Sequence, residues 1–235
     1  DSVDVTIDLD GKKLTLIDTA GVRKRKSLDG DIEFYSYHRA MRSIRRADVV
    51  AFMIDASTPI SQVDKNLAGI IAENFKPVVL VVNKWDLAKD QADMDSYAEY
   101  LATSFPSLTY APIALTTAKD GTNLKQTVDL AKELYHQSNL RMPTWEINKA
   151  VQDILTLRGP SQKSGRPRPK IFYASQIDTA PPTIVCFVNS AKSFDLTYER
   201  FLLNQLRERL PFSEVPIRLF FRTRKSIYKD KDKQE

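Results

Sequence analysis

The sequence predicts a mostly parallel α/β domain joined to a small α+β module, and three observations predict it. Up to about residue 141, strands that are apolar throughout alternate with long helices. From about residue 142 the order changes to α-β-β-α-β, too short for a second domain of the first kind. The turns after the strands of the first part carry Asp, Asn and Lys, at the carboxyl ends where open α/β sheets bind ligands.

Residues 4–8 and 12–17 alternate apolar and polar around Asp10-Gly11, a strong hairpin turn signal. A basic, irregular loop follows Asp18 and runs to about Asp31, and residues 34–46 read as an arginine-rich helix. Val49–Ile54 and Pro77–Val82 are continuous apolar runs, the pattern of strands buried on both faces. Helices near 61–74, 93–104 and 122–138 and a short strand at 112–115 complete the first domain. In the second, a helix runs from Thr144, its expected N-cap, to about Leu157. A Gly/Pro/basic loop then leads to strands at 170–177 and 183–189, a helix at 197–210 and a strand at 216–222. The expected domains are therefore 1–141 and 142–235.

Composition bounds the function. Of 235 residues, 42% are hydrophobic and 28% charged, as in a globular protein. Lys and Arg outnumber Asp and Glu by 35 to 30, a mild positive balance that favours a polyanionic partner. No apolar run approaches the roughly 18 residues of a membrane helix, and no secretory leader is visible. The single cysteine, Cys186, lies in an apolar run and reads as core; with no partner for a disulfide, a reducing, cytoplasmic setting is expected. His38 and His136 have no metal-ligand company.

Three short motifs carry the chemistry. Asn83-Lys84-Trp85-Asp86 follows a buried strand. A carboxylate at 86 accepts two hydrogen bonds from the ring N–H and exocyclic amine of guanine, a pair adenine does not offer. The Lys84 stem suits the flat face of the base, and Asn83 suits tying neighbouring loops together. Asp18-Thr19-Ala20-Gly21-Val22 also follows a strand: Asp18 is placed to hold magnesium through water, and the Gly21 N–H to approach a terminal phosphate. Thr117-Ala118-Lys119 follows a third strand, its amides placed to meet the guanine carbonyl. Each motif alone has a bland alternative, a solvated turn after a strand; the three together, each at a strand end, point to a guanine nucleotide.

The run Leu16 to Arg25, then Arg46-Ala-Asp-Val-Val50, then Val81-Val-Asn-Lys-Trp-Asp-Leu87 resembles the bacterial Der (EngA) GTPases, as do Thr179–Asn189, Asn204–Arg207 and Pro216–Arg222. The resemblance covers essentially the whole chain. It implies a GTPase domain of the P-loop NTPase type, the second of two in that family, followed by a KH-like domain, with GTP and GDP as ligands, Mg2+ and a possible K+ as cofactors, and a role in maturing the large ribosomal subunit.

The family pattern is incomplete here. None of the seven glycines, at 11, 21, 30, 69, 121, 159 and 165, opens a Gly-x-x-x-x-Gly-Lys-[Ser/Thr] phosphate loop. The expectation is that this loop, with a strand and a helix, precedes Asp1, and that the fragment alone is inactive. Val22 stands where many GTPases place a water-orienting glutamine, so no catalytic residue is assignable. The family is similar in carrying a hydrophobic residue there, often with potassium.

Two basic stretches suit phosphate. Arg23–Lys26 lies in the loop expected to respond to nucleotide, and Arg39, Arg42 and Arg46 share a helix face. Arg158, Lys163, Arg166, Arg168 and Lys170 occupy a stretch without acids and are the candidate RNA contacts, a solvated loop being the alternative. The Gly-x-x-Gly clamp of RNA-binding KH domains is missing. Phe172, Tyr173, Phe187, Phe220 and Phe221 are expected to be mostly core. The leading expectation is a cytoplasmic, monomeric GTPase contacting ribosomal RNA or the large ribosomal subunit, with no membrane partner. The rivals are a non-catalytic RNA scaffold with a degenerate GTPase half and a GTPase serving a membrane or protein partner.

Overall fold

The alternation over residues 4–17 folds as a hairpin. In the computed structural model, β1 (Asp4–Leu9) pairs antiparallel with β2 (Lys12–Ile17), from Asp4 opposite Ile17 to Leu9 opposite Lys12. Gly11 turns the chain at a φ of +75°, a left-handed conformation that favours glycine, and its N–H donates to Asp8 Oδ1 at 3.0 Å. The structure describes residues 4–9, 11–17, 30–88, 93–162 and 168–224.

The chain divides into two units, one ending at His136 and one beginning at Gln137. In the first, α1 (Gly30–Arg46) starts ahead of the expected residue 34; Arg45 and Arg46 close it, where positive charge meets the negative end of the helix dipole. The order continues β3 (Val50–Asp55), α2 (Gln62–Glu73), β4 (Val78–Asn83), α3 (Met94–Ser104), β5 (Ile113–Leu115) and α4 (Leu124–Asn139), whose last three residues belong to the second unit. α2 begins with a capping box, in which the Ser61 hydroxyl accepts from the Asp64 N–H and the Asp64 carboxylate accepts from the Ser61 N–H. Asp93 caps α3 by accepting from Ser96 N–H.

β3, β4 and β5 form a parallel sheet in that order. Central β4 is buried from Val78 to Val82, which accounts for its unbroken apolar run. β3 reads the same way in sequence but differs in place. Phe52 and Ile54 enter the core, while Met53 is 56% exposed. Among the described strands β3 is an edge and β1–β2 form a separate sheet; the β3 side chains alternate, and the face that carries Met53 lacks, among the described residues, the cover expected on both faces. The core gathers Phe52, Ile54, Ile71, Val78, Leu80, Val82, Leu101, Phe105 and Leu108 beneath α2 and α3.

In the second unit, α5 (Thr144–Leu157) is followed by β6 (Ile171–Asp178), β7 (Thr183–Val188), α6 (Leu196–Arg209) and β8 (Arg218–Thr223). The N-cap of α5 is Pro143, not Thr144: the ring holds Pro143 in an extended conformation and Thr144 takes the first helical position. β7 is central, antiparallel to β6 and parallel to β8. Its Ile184, Cys186 and Val188 are fully buried, as are Ile147, Val151 and Ile154 of α5 and Leu202 and Leu206 of α6. Asn148 of α5 grips the outer edge of β6, donating to Ala174 O at 2.9 Å and accepting from Ala174 N–H at 2.8 Å. Residues just before α5 also belong here. Gln176 accepts from Met142 N–H at 2.8 Å and donates to Leu140 O at 3.0 Å, and Ala180 N–H donates to Ser138 O at 2.8 Å.

Candidate guanine-nucleotide site

β3 and β4 end in register, Asp55 opposite Asn83, so their carboxyl-end tips lie side by side. The chain after β5 joins them, Thr116 N–H donating to Val82 O at 2.8 Å and Trp85 N–H to Thr116 O at 3.1 Å. The Asn83 side chain sits between these segments. Its Oδ1 accepts from the Ala118 N–H at 3.0 Å and from the Thr116 hydroxyl at 3.3 Å. Asn-Lys-Trp-Asp and Thr-Ala-Lys, separated in sequence, thus form one rim.

Lys84 turns sharply out of the strand at a φ of 61°. Its Nζ pairs with Asp55 Oδ2 at 2.9 Å. Burial alone would push the Asp55 carboxyl up, but hydrogen bonds from the Ser57 hydroxyl (2.6 Å), Lys84 and the Ser57 N–H outweigh it and hold the group well below the usual carboxylate range. Sequence reasoning missed Asp55 as a rim residue; the available signal was an apolar strand ending in Asp, and its pairing opposite Asn83 shows only in the structure. Trp85 turns the other way, its ring packing edge-on against Tyr97 with centroids 5.4 Å apart.

Asp86 lies in the 3-10 turn Trp85–Leu87 and is half-buried. Among the described residues its carboxylate makes no hydrogen bond or ion pair, whereas that of Asp55 is saturated. Thr117 is buried and starts a turn closed by Thr122 N–H on Thr117 O at 3.1 Å. Asn123, itself at a φ of 58°, pins that turn by donating to Leu115 O at 2.8 Å. The Ala118 N–H, expected to meet a base carbonyl, donates to Asn83 instead because the carboxamide reaches it first. The Lys119 N–H makes no hydrogen bond among the described residues. Asp18, Thr19, Ala20, Gly21 and Val22 lie outside the described residues, as does the expected magnesium contact of Asp18.

Of the candidate RNA contacts, Lys163 and Arg166 lie outside the described residues. Arg158, Arg168 and Lys170 are exposed, and none is paired with a carboxylate among the described residues. Arg158 lies 5.2 Å from the Phe201 ring centre and Lys170 lies 5.6 Å from that of Phe172. Arg46 pairs with Asp4, so that part of the basic α1 face has the ordinary use of a local ion pair. Among the described residues no helix is long and apolar enough to cross a membrane.

A parallel sheet tipped by guanine-type motifs, followed by this α-β-β-α-β unit, defines the class: a GTPase domain joined to a KH-like domain. Two family models match. Residues 1–84 match a model described as "50S ribosome-binding GTPase", and residues 141–222 match "KH-domain-like of EngA bacterial GTPase enzymes, C-terminal". Over 95% of its length the chain is 45% identical to the GTPase Der of Rhodopirellula baltica, covering 49% of that protein. It is 38% identical to the GTPase Der of Nostoc sp. over 96% of its length, covering 50% of it, and 36% identical to that of Fusobacterium nucleatum over 96%, covering 52%. The chain belongs to the Der (EngA) family of GTPases. It spans about half the length of the curated relatives it matches.

Proposed function

We propose that this chain, within its natural protein, binds and hydrolyses GTP and uses the nucleotide state to control contact with ribosomal RNA of the large subunit. One observation carries the reading: Asn83 locks the 116–118 segment beside the Asn-Lys-Trp-Asp turn while the Asp86 carboxylate keeps its hydrogen-bonding capacity. A purine seated on that rim meets the carboxylate with its N–H and amine. Its carbonyl meets the amides of the 117–119 turn, of which that of Lys119 makes no hydrogen bond among the described residues. Lys84 is tethered to Asp55, and in this reading its stem covers the flat face of the base.

Asp18 and Gly21 serve magnesium and the terminal phosphate in this reading. Magnesium, held by Asp18 through water, would neutralise charge on the phosphates, and potassium would add a second positive charge there, while Val22 would orient no water. The 18–31 loop then answers to the nucleotide, and the KH-like unit with Arg158, Lys163, Arg166, Arg168 and Lys170 meets RNA. We place the protein in the cytoplasm as a monomer. The family description of a 50S ribosome-binding GTPase supports the choice of partner.

The test is binding of GTP, GDP and ATP to the intact natural protein with magnesium and potassium, followed by cosedimentation with large ribosomal subunits. Guanine-selective binding and GTP-dependent cosedimentation are expected. Subunit binding without nucleotide selectivity would replace this reading with an RNA scaffold.

A further inference from the structure

The β6–β7–β8 sheet carries a second constellation, outside the nucleotide rim. One cross-strand row is Tyr173, Phe187 and Arg222, in register across β6, β7 and β8. The neighbouring residues Ala174, Cys186 and Phe221 point to the opposite, buried side, because strand side chains alternate. Tyr173 and Phe187 stack in parallel, with centroids 4.3 Å apart and planes at 15°. Tyr173 is nevertheless 39% exposed, and so is Phe172 beside it, where a bulge between Ile171 and Tyr173 turns both outward. The expectation that these aromatics are core holds for neither. With Arg222, Thr223 and Arg224, the stacked pair lines a recess of about 380 Å³.

Positive charge converges on that end of the sheet. Arg224 N–H donates to Val188 O at 3.0 Å, which fixes it beside the end of β7. Asn189, the next residue, accepts from Lys170 N–H at 2.9 Å and donates to Arg168 O at 2.8 Å. Arg168 and Lys170 are thereby pinned to the same end as Arg222 and Arg224. The segments 168–174, 186–190 and 220–224 contain no acidic residue, and among the described residues neither Arg222 nor Arg224 pairs with a carboxylate.

We propose that this recess is a stacking site for single-stranded RNA: a base lies against the Tyr173–Phe187 pair and its flanking phosphates meet Arg222 and Arg224. Unpaired bases expose their faces for stacking on aromatic rings, and guanidinium groups hold the backbone. The bases of a duplex are stacked on each other and do not enter. The site lies at the exposed end of the sheet face opposite Ala174 and Cys186 and needs no Gly-x-x-Gly loop. It rests on the reading of a ribosomal RNA partner above and names the surface that takes it.

The test uses the intact natural protein and a short single-stranded oligoribonucleotide containing 2-aminopurine, whose fluorescence falls on stacking. Binding is expected with quenching, with little competition from duplex RNA. Tyr173→Leu keeps an apolar side chain, and its expected effect is loss of the quench and about tenfold weaker binding. Arg222→Gln with Arg224→Gln is expected to keep the quench at low salt and to flatten the salt dependence. Thermal melting of each variant identifies loss of folding, and each variant supports the inference only where melting is unchanged. Unchanged oligonucleotide affinity and quenching in both variants would overturn it, as would weakened cosedimentation with large subunits alongside unchanged oligonucleotide binding, which assigns the face to a protein partner. Failure of the GTP-switch reading shows instead in the wild type, as absence of guanine selectivity, and leaves these oligonucleotide results standing.

Discussion

Asp86 and Asp55 stand near each other on the rim and have opposite characters. Asp55 is saturated by Ser57 and Lys84, which lowers its pKa from the ordinary 3.8. A depressed carboxylate lends stability that is full above its ordinary pKa and is lost as pH falls through the lower, folded value, so the Lys84–Asp55 pair is expected to persist throughout the neutral range. Among the described residues Asp86 has no such partners, and in the proposed function its effect belongs to binding. Asp86→Asn is expected to weaken GTP binding by about tenfold or more, the worth of a charged hydrogen-bond pair, without lowering the melting temperature; calorimetric titration with GTP and ATP checks it. Asn83→Ala removes the link to Ala118 and Thr116 and is expected to cost both stability, about 1–3 kcal/mol in a denaturant titration, and nucleotide affinity. Cys186 is buried, and burial pushes its thiol up to about 12. It is expected to resist alkylation at pH 8 in the native protein and to react on unfolding. Its contribution is full below the ordinary 9.0 and fades as pH rises toward 12.

Among the elements, β6 depends most on a single neighbouring side chain. Asn148 supplies the outer edge at Ala174 with the donor and acceptor a further strand would offer. Asn148→Leu strands both groups half-buried and is expected to destabilise the second unit by about 2 kcal/mol, read from the denaturation midpoint. Gln176 plays the same part for the 140–142 segment. Gln176→Leu is expected to raise amide hydrogen exchange there while leaving the rim at Asn83 unchanged. Such contacts are not legible in sequence, because an Asn or Gln on an amphipathic element looks like any surface amide. The elements themselves were legible, since period-2 and period-3.6 patterns report local burial.

For the whole molecule, the proposed readings give the two units separate chemistry, guanine recognition on the strand tips of the first and RNA contact on the second. RNA affinity is therefore expected to fall steeply with salt, as counterions compete for the phosphates, while guanine selectivity changes little. Measuring both at low and at high potassium chloride separates the units without cutting the chain.

The order and kind of the elements, the strand-end motifs proposed to read guanine and the family that shares them were all legible from the residues alone. Each is a local pattern set by side-chain alternation, turn residues and spacing. Folding added which side chains meet: Asn83 reaches Ala118, Lys84 binds Asp55, Met53 stays exposed, and Arg222 and Arg224 line one recess with Tyr173. These depend on which strands become neighbours and in what register, and a shift of one residue would send every side chain to the other face.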